Sequence, residues 1–172
     1  MSSFSILQKS LRDPYFQLAW EEAIALEMPK WGMDYGVRIW SNHKTVVLGI
    51  SEKESETINP ASISLFRLHC SELIQKRIRS TKDLLSEEFY IARRASGGGT
   101  VFQSIPENIN FSLFVDISHK KELYPIRESY DKLLGIVKNA LKKMGLESYS
   151  AGKSDISIDS GDGELKKISG NA

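Results

Sequence analysis

The chain has 172 residues, 23 Lys and Arg against 22 Asp and Glu, 41% hydrophobic residues and one cysteine. That is enough for one ordinary core, and the near-neutral charge excludes both a chain-wide basic field for wrapping nucleic acid and the acidic excess of disordered chains. Cys70 has no partner for an internal disulfide, three histidines with one cysteine are too few for a structural zinc site, and no apolar run approaches the roughly 18 residues that span a bilayer, so the expectation is a cytoplasmic protein with neither a nucleic-acid nor a membrane partner.

The opening residues lack the apolar region of a signal peptide and read as a first strand. From Tyr15 to Met28, the residues Phe16, Ala19, Trp20, Ala23, Ile24 and Leu26 recur at helical spacing, which predicts an amphipathic helix. Asp13 is placed to cap it, Pro14 to occupy its first position and Pro29 to end it. Two β-rich runs, Val37 to Trp40 and Thr45 to Gly49, flank Ser41 to Lys44 and read as a hairpin. Residues 51–88 are polar and basic with apolar pieces and read as a variable, insertion-like region, with a short helix expected from Leu68 to Ile78.

Strand signals return at Phe89 to Ala92, Thr100 to Phe102 and Ile109 to Val115. A second amphipathic helix is predicted from Ile126 to Met144, with Tyr130, Leu133, Leu134, Val137 and Leu141 on one face and Gly145 as its stop. A last hairpin is expected from Ser154 to Ile158 and Glu164 to Ser169, across Asp159 to Gly163. Trp20, Trp31 and the Tyr130 face read as core, and His43, His69 and His119 are too scattered to suggest chemistry. Together these predict an α+β fold with a mixed, mostly antiparallel sheet flanked by helices.

Gly97, Gly98 and Gly99 follow Arg93-Arg94-Ala95-Ser96 and precede a strand. Three glycines there cost conformational entropy and pack no side chain, so some requirement for bare backbone has to offset them. One reading is close approach of main-chain N–H groups to an anionic ligand, with Arg94 as a positive fork and Ser96 as a further donor. The other is a flexible turn with two surface arginines, which is commoner for an isolated glycine triplet. It is neither a Walker loop nor a dinucleotide-binding turn, because no Gly-Lys-Ser/Thr follows and the next element is a strand. Near the end, strand alternation puts Lys167 on the face of Ser169 and opposite Ile168. Lys167 there is either a compact charge that screens two anions or a solvated edge lysine like Lys166.

In order along the chain, four blocks resemble the lipoate-protein ligase A family of the biotin/lipoate protein ligase superfamily. They are Asp13 to Glu22, Ile39 to Gly49, Arg93 to Phe102 with Asn108 to Ser112, and Ser154 to Ile156 with Lys167 to Ala172. The resemblance implies a single catalytic domain over residues 1–172 that activates lipoate with ATP and Mg2+ to lipoyl-AMP and transfers the lipoyl group to a carrier lysine. It implies Lys167 as the catalytic residue, bridging carboxylate and phosphate. Arg94, Ser96 and the backbone of Gly97, Gly98 and Gly99 would hold the adenylate, Trp40 and Gly49 would wall the acyl slot, Asn108 would line the site, and Asp155 would lie near the nucleotide or its Mg2+. The implied partners are lipoyl carrier domains of 2-oxoacid dehydrogenase complexes or the H protein of glycine cleavage.

The chain also departs from the family pattern. Ile50-Ser51-Glu52-Lys53 replaces a basic residue and a Gln-Asn pair after Gly49, and Gln103-Ser104 replaces His-Asp after Phe102. Family members continue well past the position of Gly170, so a C-terminal portion is expected to be lacking here or supplied by a separate subunit. Two alternatives follow: a non-catalytic or partner-dependent acyl-adenylate-binding relic, and an octanoyl or lipoyl transferase whose one candidate nucleophile is Cys70.

Overall fold

The Asp13 carboxylate accepts the backbone N–H groups of Tyr15 and Phe16 at 2.8 and 3.1 Å and so starts the first helix where the sequence predicts it. The computed structural model describes residues 4–8, 13–64, 67, 90–152 and 154–171. It divides into two units, Met1–Val115 and Asp116–Ala172.

The first unit contains β1 (Phe4–Gln8), α1 (Pro14–Glu27), β2 (Tyr35–Trp40), β3 (Thr45–Leu48), α2 (Glu54–Thr57), β4 (Tyr90–Arg93), β5 (Val101–Gln103) and β6 (Asn110–Val115). One sheet has the order β1-β2-β6, with β1 parallel and β6 antiparallel to β2. The other has the order β4-β3-β5, with β4 parallel and β5 antiparallel to β3. Leu48, Ile58, Ile63 and Ile91 form a buried cluster with Val46 packed against it.

The expected hairpin of β2 and β3 is therefore corrected: the two strands lie in different sheets and do not pair. The link between them is held by long-range bonds rather than by a tight turn. Gln17 Nε2 donates to the Ser41 carbonyl at 3.0 Å, and Asn42 Nδ2 donates to Gln103 Oε1 at 2.8 Å.

A second correction concerns α1. Its fully buried residues are Pro14 and Gln17, while Phe16 and Leu26 of the expected core face are 59% and 64% exposed. The inward side is polar because it meets Arg38 on β2, which is itself fully buried. Arg38 Nη1 donates to the Gln17 carbonyl at 3.0 Å and pairs with Glu21, its Nη2 donates to Gln17 Oε1, and its guanidinium lies 4.9 and 4.8 Å from the ring centroids of Trp20 and Trp40. Pro29 does not stop the chain outright. It begins a 3-10 turn, Met28–Trp31, that ends at Gly32 with φ +68°, and Trp31 is exposed rather than core.

The second unit contains α3 (Ile126–Lys143), β7 (Ser148–Ala151), β8 (Asp155–Asp159) and β9 (Leu165–Ser169), preceded by two 3-10 turns. The sheet order is β7-β8-β9, antiparallel throughout, so four of the six strand pairings among the described residues are antiparallel. The fold is mixed α+β, as expected. α3 buries Leu134 and half-buries Tyr130, Leu133, Val137 and Leu141, and Gly145 takes φ +85° just past its end. β7 was not expected: Ser-Tyr-Ser-Ala is too short and polar to announce a strand, and it forms by pairing with β8. The helix expected from Leu68 to Ile78, and most of the 51–88 region, lie outside the described residues.

Candidate adenylate-binding loop and paired lysine

Two consecutive arginines at the end of β4 fix the loops around the glycine triplet. Arg93 Nη1 donates to the carbonyls of Gly49, Ile50 and Glu52 at 2.8, 3.2 and 2.6 Å. Arg94 turns the other way, onto Ser96 Oγ and the carbonyls of Gly97 and Gly99. Burial pulls the Arg94 guanidinium below its ordinary value, and the nearby Glu52 carboxylate opposes this. The Ile50 N–H closes the arrangement by donating to the Ser96 carbonyl at 3.0 Å.

The glycines then separate by cause. At Gly49 a Cβ would stand 2.0 Å from the Gly98 carbonyl oxygen, so the two loops approach too closely for any side chain there. Gly98 has φ +83°, which also favours glycine. At Gly97 and Gly99 an added Cβ would meet nothing within 4 Å. Packing among the described residues does not require glycine at either position.

Trp40 and Asn108 belong to the same unit but not to this loop. Trp40 is buried on β2 against Arg38, and its indole N–H donates to Ser112 Oγ at 3.1 Å, while Ser112 in turn donates to Glu21. Asn108 closes the turn between β5 and β6: its side-chain oxygen accepts the Ser104 N–H and its backbone N–H donates to the Ser104 carbonyl, both at 3.0 Å. Gln103, which departs from the family pattern, accepts from both Asn42 and Asn110, at 2.8 and 3.2 Å, and so ties β5 to β6 and to the link after β2. Sequence reasoning offers neither Arg93 nor Gln103 as a site residue, because the Arg93 partners lie 41 to 44 residues away and the Asn42 partner of Gln103 lies 61 away.

In the second unit, Lys167 on β9 stands opposite Ser157, and its Nζ reaches diagonally to Asp155 Oδ2 at 2.8 Å. Asp155 and Ser157 share a face of β8, which puts Lys167 on that polar face, but Ser169 stands opposite Ile156, so the expected sharing of one face by Lys167 and Ser169 is corrected: the alternation is broken between them. A register shift at Ile156/Ser157 leaves Ile168 as the extra residue of a bulge. Gly170 keeps room beside the amine, since a Cβ there would lie 3.3 Å from Lys167 Nζ. Asn171 anchors the end of the strand: its Nδ2 donates to the Ser154 carbonyl at 2.5 Å and its own carbonyl accepts Ser154 Oγ at 2.7 Å.

Among the described residues no group of three or more His, Cys, Asp or Glu could hold a metal ion, and no helix is long and apolar enough to cross a membrane.

The fold has counterparts among solved structures. A bi-partite lipoate protein ligase from Thermoplasma acidophilum, solved with its E2 lipoyl domain, aligns over 98% of this chain and 54% of its own, with a TM-score of 0.66 at 20% identity. P. falciparum LipL1 in complex with lipoate aligns over 92% of this chain and 41% of its own, with a TM-score of 0.59 at 16% identity. A lipoate-protein ligase A bound with ATP aligns over 98% and 59%, with a TM-score of 0.55 at 19% identity. The chain thus spans about half the length of these proteins. With residues 13–172 matching the family as a whole, the chain belongs to the lipoyl protein ligase A/B catalytic domain family.

Proposed function

We propose that this chain carries the adenylating centre of a lipoate-protein ligase. The lipoate carboxylate attacks the α-phosphorus of ATP, the bond to the β-phosphate oxygen breaks, and pyrophosphate leaves. An amine of a lipoyl carrier domain then attacks the acyl carbon, the bond to AMP breaks, and the amine gives up a proton. Carriers of the 2-oxoacid dehydrogenase or glycine cleavage type are the proposed acceptors, and Mg2+ arrives with ATP as part of the substrate.

The observation that carries this is the glycine loop: among the described residues nothing stands within 4 Å of a Cβ at Gly97 or Gly99, and the carbonyls of both are turned inward onto Arg94, which leaves bare backbone toward the open side. Its shape suits a phosphate held by main-chain groups, with Ser96 beside it. Lys167 is assigned to offset the negative charges of carboxylate and phosphate, a role that suits a compact cation. Asp155 orients that amine through the 2.8 Å ion pair. Trp40 and Gly49 are assigned to the acyl side and Asn108 to the rim. Positioning and fixed charge do most of the work in such a centre.

The test is pyrophosphate release by the purified chain with Mg-ATP and lipoate, run beside octanoate and biotin. Lipoate-dependent release that disappears in Lys167→Ala supports the assignment. Equal release with and without Lys167 removes that residue from the chemistry.

A further inference from the structure

Arg94 is the residue that sequence reasoning offers as a positive fork for an anion, and the geometry gives it different work. Its Nε–H is shared between Ser96 Oγ at 3.1 Å and the Gly97 carbonyl at 3.0 Å, and its Nη2 donates to the carbonyls of Gly97 and Gly99 at 2.5 and 2.9 Å. A bidentate grip on phosphate or carboxylate uses Nη2 together with Nε or Nη1. Both Nη2 hydrogens are already engaged within the loop, and Nη1 has one long contact, 3.5 Å to the Val47 carbonyl.

The consequence lies on the other side of the loop. All four carbonyls from Ser96 to Gly99 face the protein: Ser96 takes the Ile50 N–H, Gly97 and Gly99 take Arg94, and Gly98 lies against Gly49. The backbone N–H groups of Ser96, Gly97, Gly98 and Gly99 donate to nothing among the described residues. Successive unpartnered N–H groups, with a cation behind them, form an anion-binding concavity.

We propose that Arg94 is a positioning residue and not an anion ligand: by holding the carbonyls of Gly97 and Gly99 inward, it leaves the N–H groups of Gly97, Gly98 and Gly99 as the donors that meet the phosphate of the acyl-adenylate. The identity of the anion rests on the adenylation proposed above, whereas the role of Arg94 has a readout of its own.

The experiment titrates AMP, which carries the phosphate that the adenylate keeps, into the protein while following the amide resonances of Gly97, Gly98 and Gly99. These three signals are expected to shift in the wild type. Arg94→Lys keeps a positive charge but cannot grip two carbonyls in a plane, so it is expected to lose at least tenfold in AMP affinity, as far as Arg94→Ala. In Arg94→Lys the Gly97 and Gly99 signals are also expected to move before any AMP is added, while signals from the rest of the sheet stay in place. AMP affinity in Arg94→Lys within twofold of wild type would overturn the proposal, because charge alone would then suffice, and so would glycine signals that ignore AMP in the wild type. If the Arg94 variants do not fold, Gly98→Ala carries the test: it places a side chain at φ +83° with Arg94 intact and is expected to lose AMP affinity to the same degree. Glycine shifts in the wild type and the tenfold loss in Arg94→Lys, found in a protein that releases no pyrophosphate with lipoate, would sustain the role of Arg94 and refute the adenylation.

Discussion

Replacing Gly49 with Ala inserts a methyl group where the structure has a backbone contact. Its Cβ would lie 2.0 Å from the Gly98 carbonyl oxygen and 3.1 Å from the Gly98 carbonyl carbon. A relaxed carbon-to-oxygen contact needs about 3.3 Å, so one backbone must retreat by roughly 1.3 Å from the 2.0 Å position. Neither retreats freely, because Arg93 holds the Gly49 carbonyl at 2.8 Å and Arg94 holds the carbonyls on both sides of Gly98. Overpacking of this kind costs about 1–3 kcal/mol, and each kcal/mol lowers Tm by about 2–4 °C in a chain of this size. A displacement of about 1 Å next to the reacting groups costs about 100-fold in rate. Thermal melting together with lipoate-dependent pyrophosphate release, assayed well below Tm, separates the two effects. The expected result is a folded protein with kcat down about 100-fold. Gly97→Ala and Gly99→Ala, whose methyl groups enter open space, should keep Tm within about 0.5 kcal/mol equivalent and still lose activity. Wild-type kcat in Gly49→Ala would refute the reasoning.

Three further outcomes follow from the same contacts. Glu21→Ala strips the fully buried Arg38 of its carboxylate and should destabilise the protein by about 3 kcal/mol or more in denaturant melts, whereas Arg38→Met with Glu21→Leu should come out near neutral. A loss under about 1 kcal/mol in the single variant would count against the buried pair. Asp155→Ala removes the partner of Lys167 in a pair that is 58% exposed on the lysine side, so stability should change by less than about 1 kcal/mol while adenylate formation falls, and activity at the wild-type level would deny Asp155 its orienting role. Asp162 is held below the ordinary carboxylate range, first by the Ser160 hydroxyl and then by the Glu164 backbone N–H. Its folded pKa being depressed, the stabilisation is present above the unfolded value and is lost as pH falls through the folded one. A carboxyl NMR titration should find Asp162 protonating below the ordinary aspartate range, with the β8–β9 turn loosening at that pH, and Asp162→Asn should abolish this acid step.

Much of the fold was legible from short-range signals. Asp13, Pro14 and Gly145 mark helix ends because caps and breakers act within a turn, and the β8–β9 hairpin is closed by its own Asp-Ser-Gly-Asp-Gly link. What escaped depends on partners far along the chain. Hydropathy spacing counted Phe16 and Leu26 as the inner face of α1, when the inner positions are Gln17 and Glu21, made tolerable by an arginine 17 to 21 residues later. A hairpin was inferred across Ser41 to Lys44 because turn rules are local, while Gln17 and Gln103 draw that link toward other elements. At the site, the glycines and Lys167 stand out by residue type alone. The inward turn of Arg94 does not, since an arginine that binds an anion and one that holds carbonyls read identically in sequence.

The most direct measurement is mass detection of lipoyl-AMP after incubating the chain with Mg-ATP and lipoate. Formation of lipoyl-AMP in the wild type and its absence in Lys167→Ala are the predicted results. A folded wild-type protein that binds lipoate and ATP yet yields no lipoyl-AMP would contradict the adenylating centre assigned to this chain.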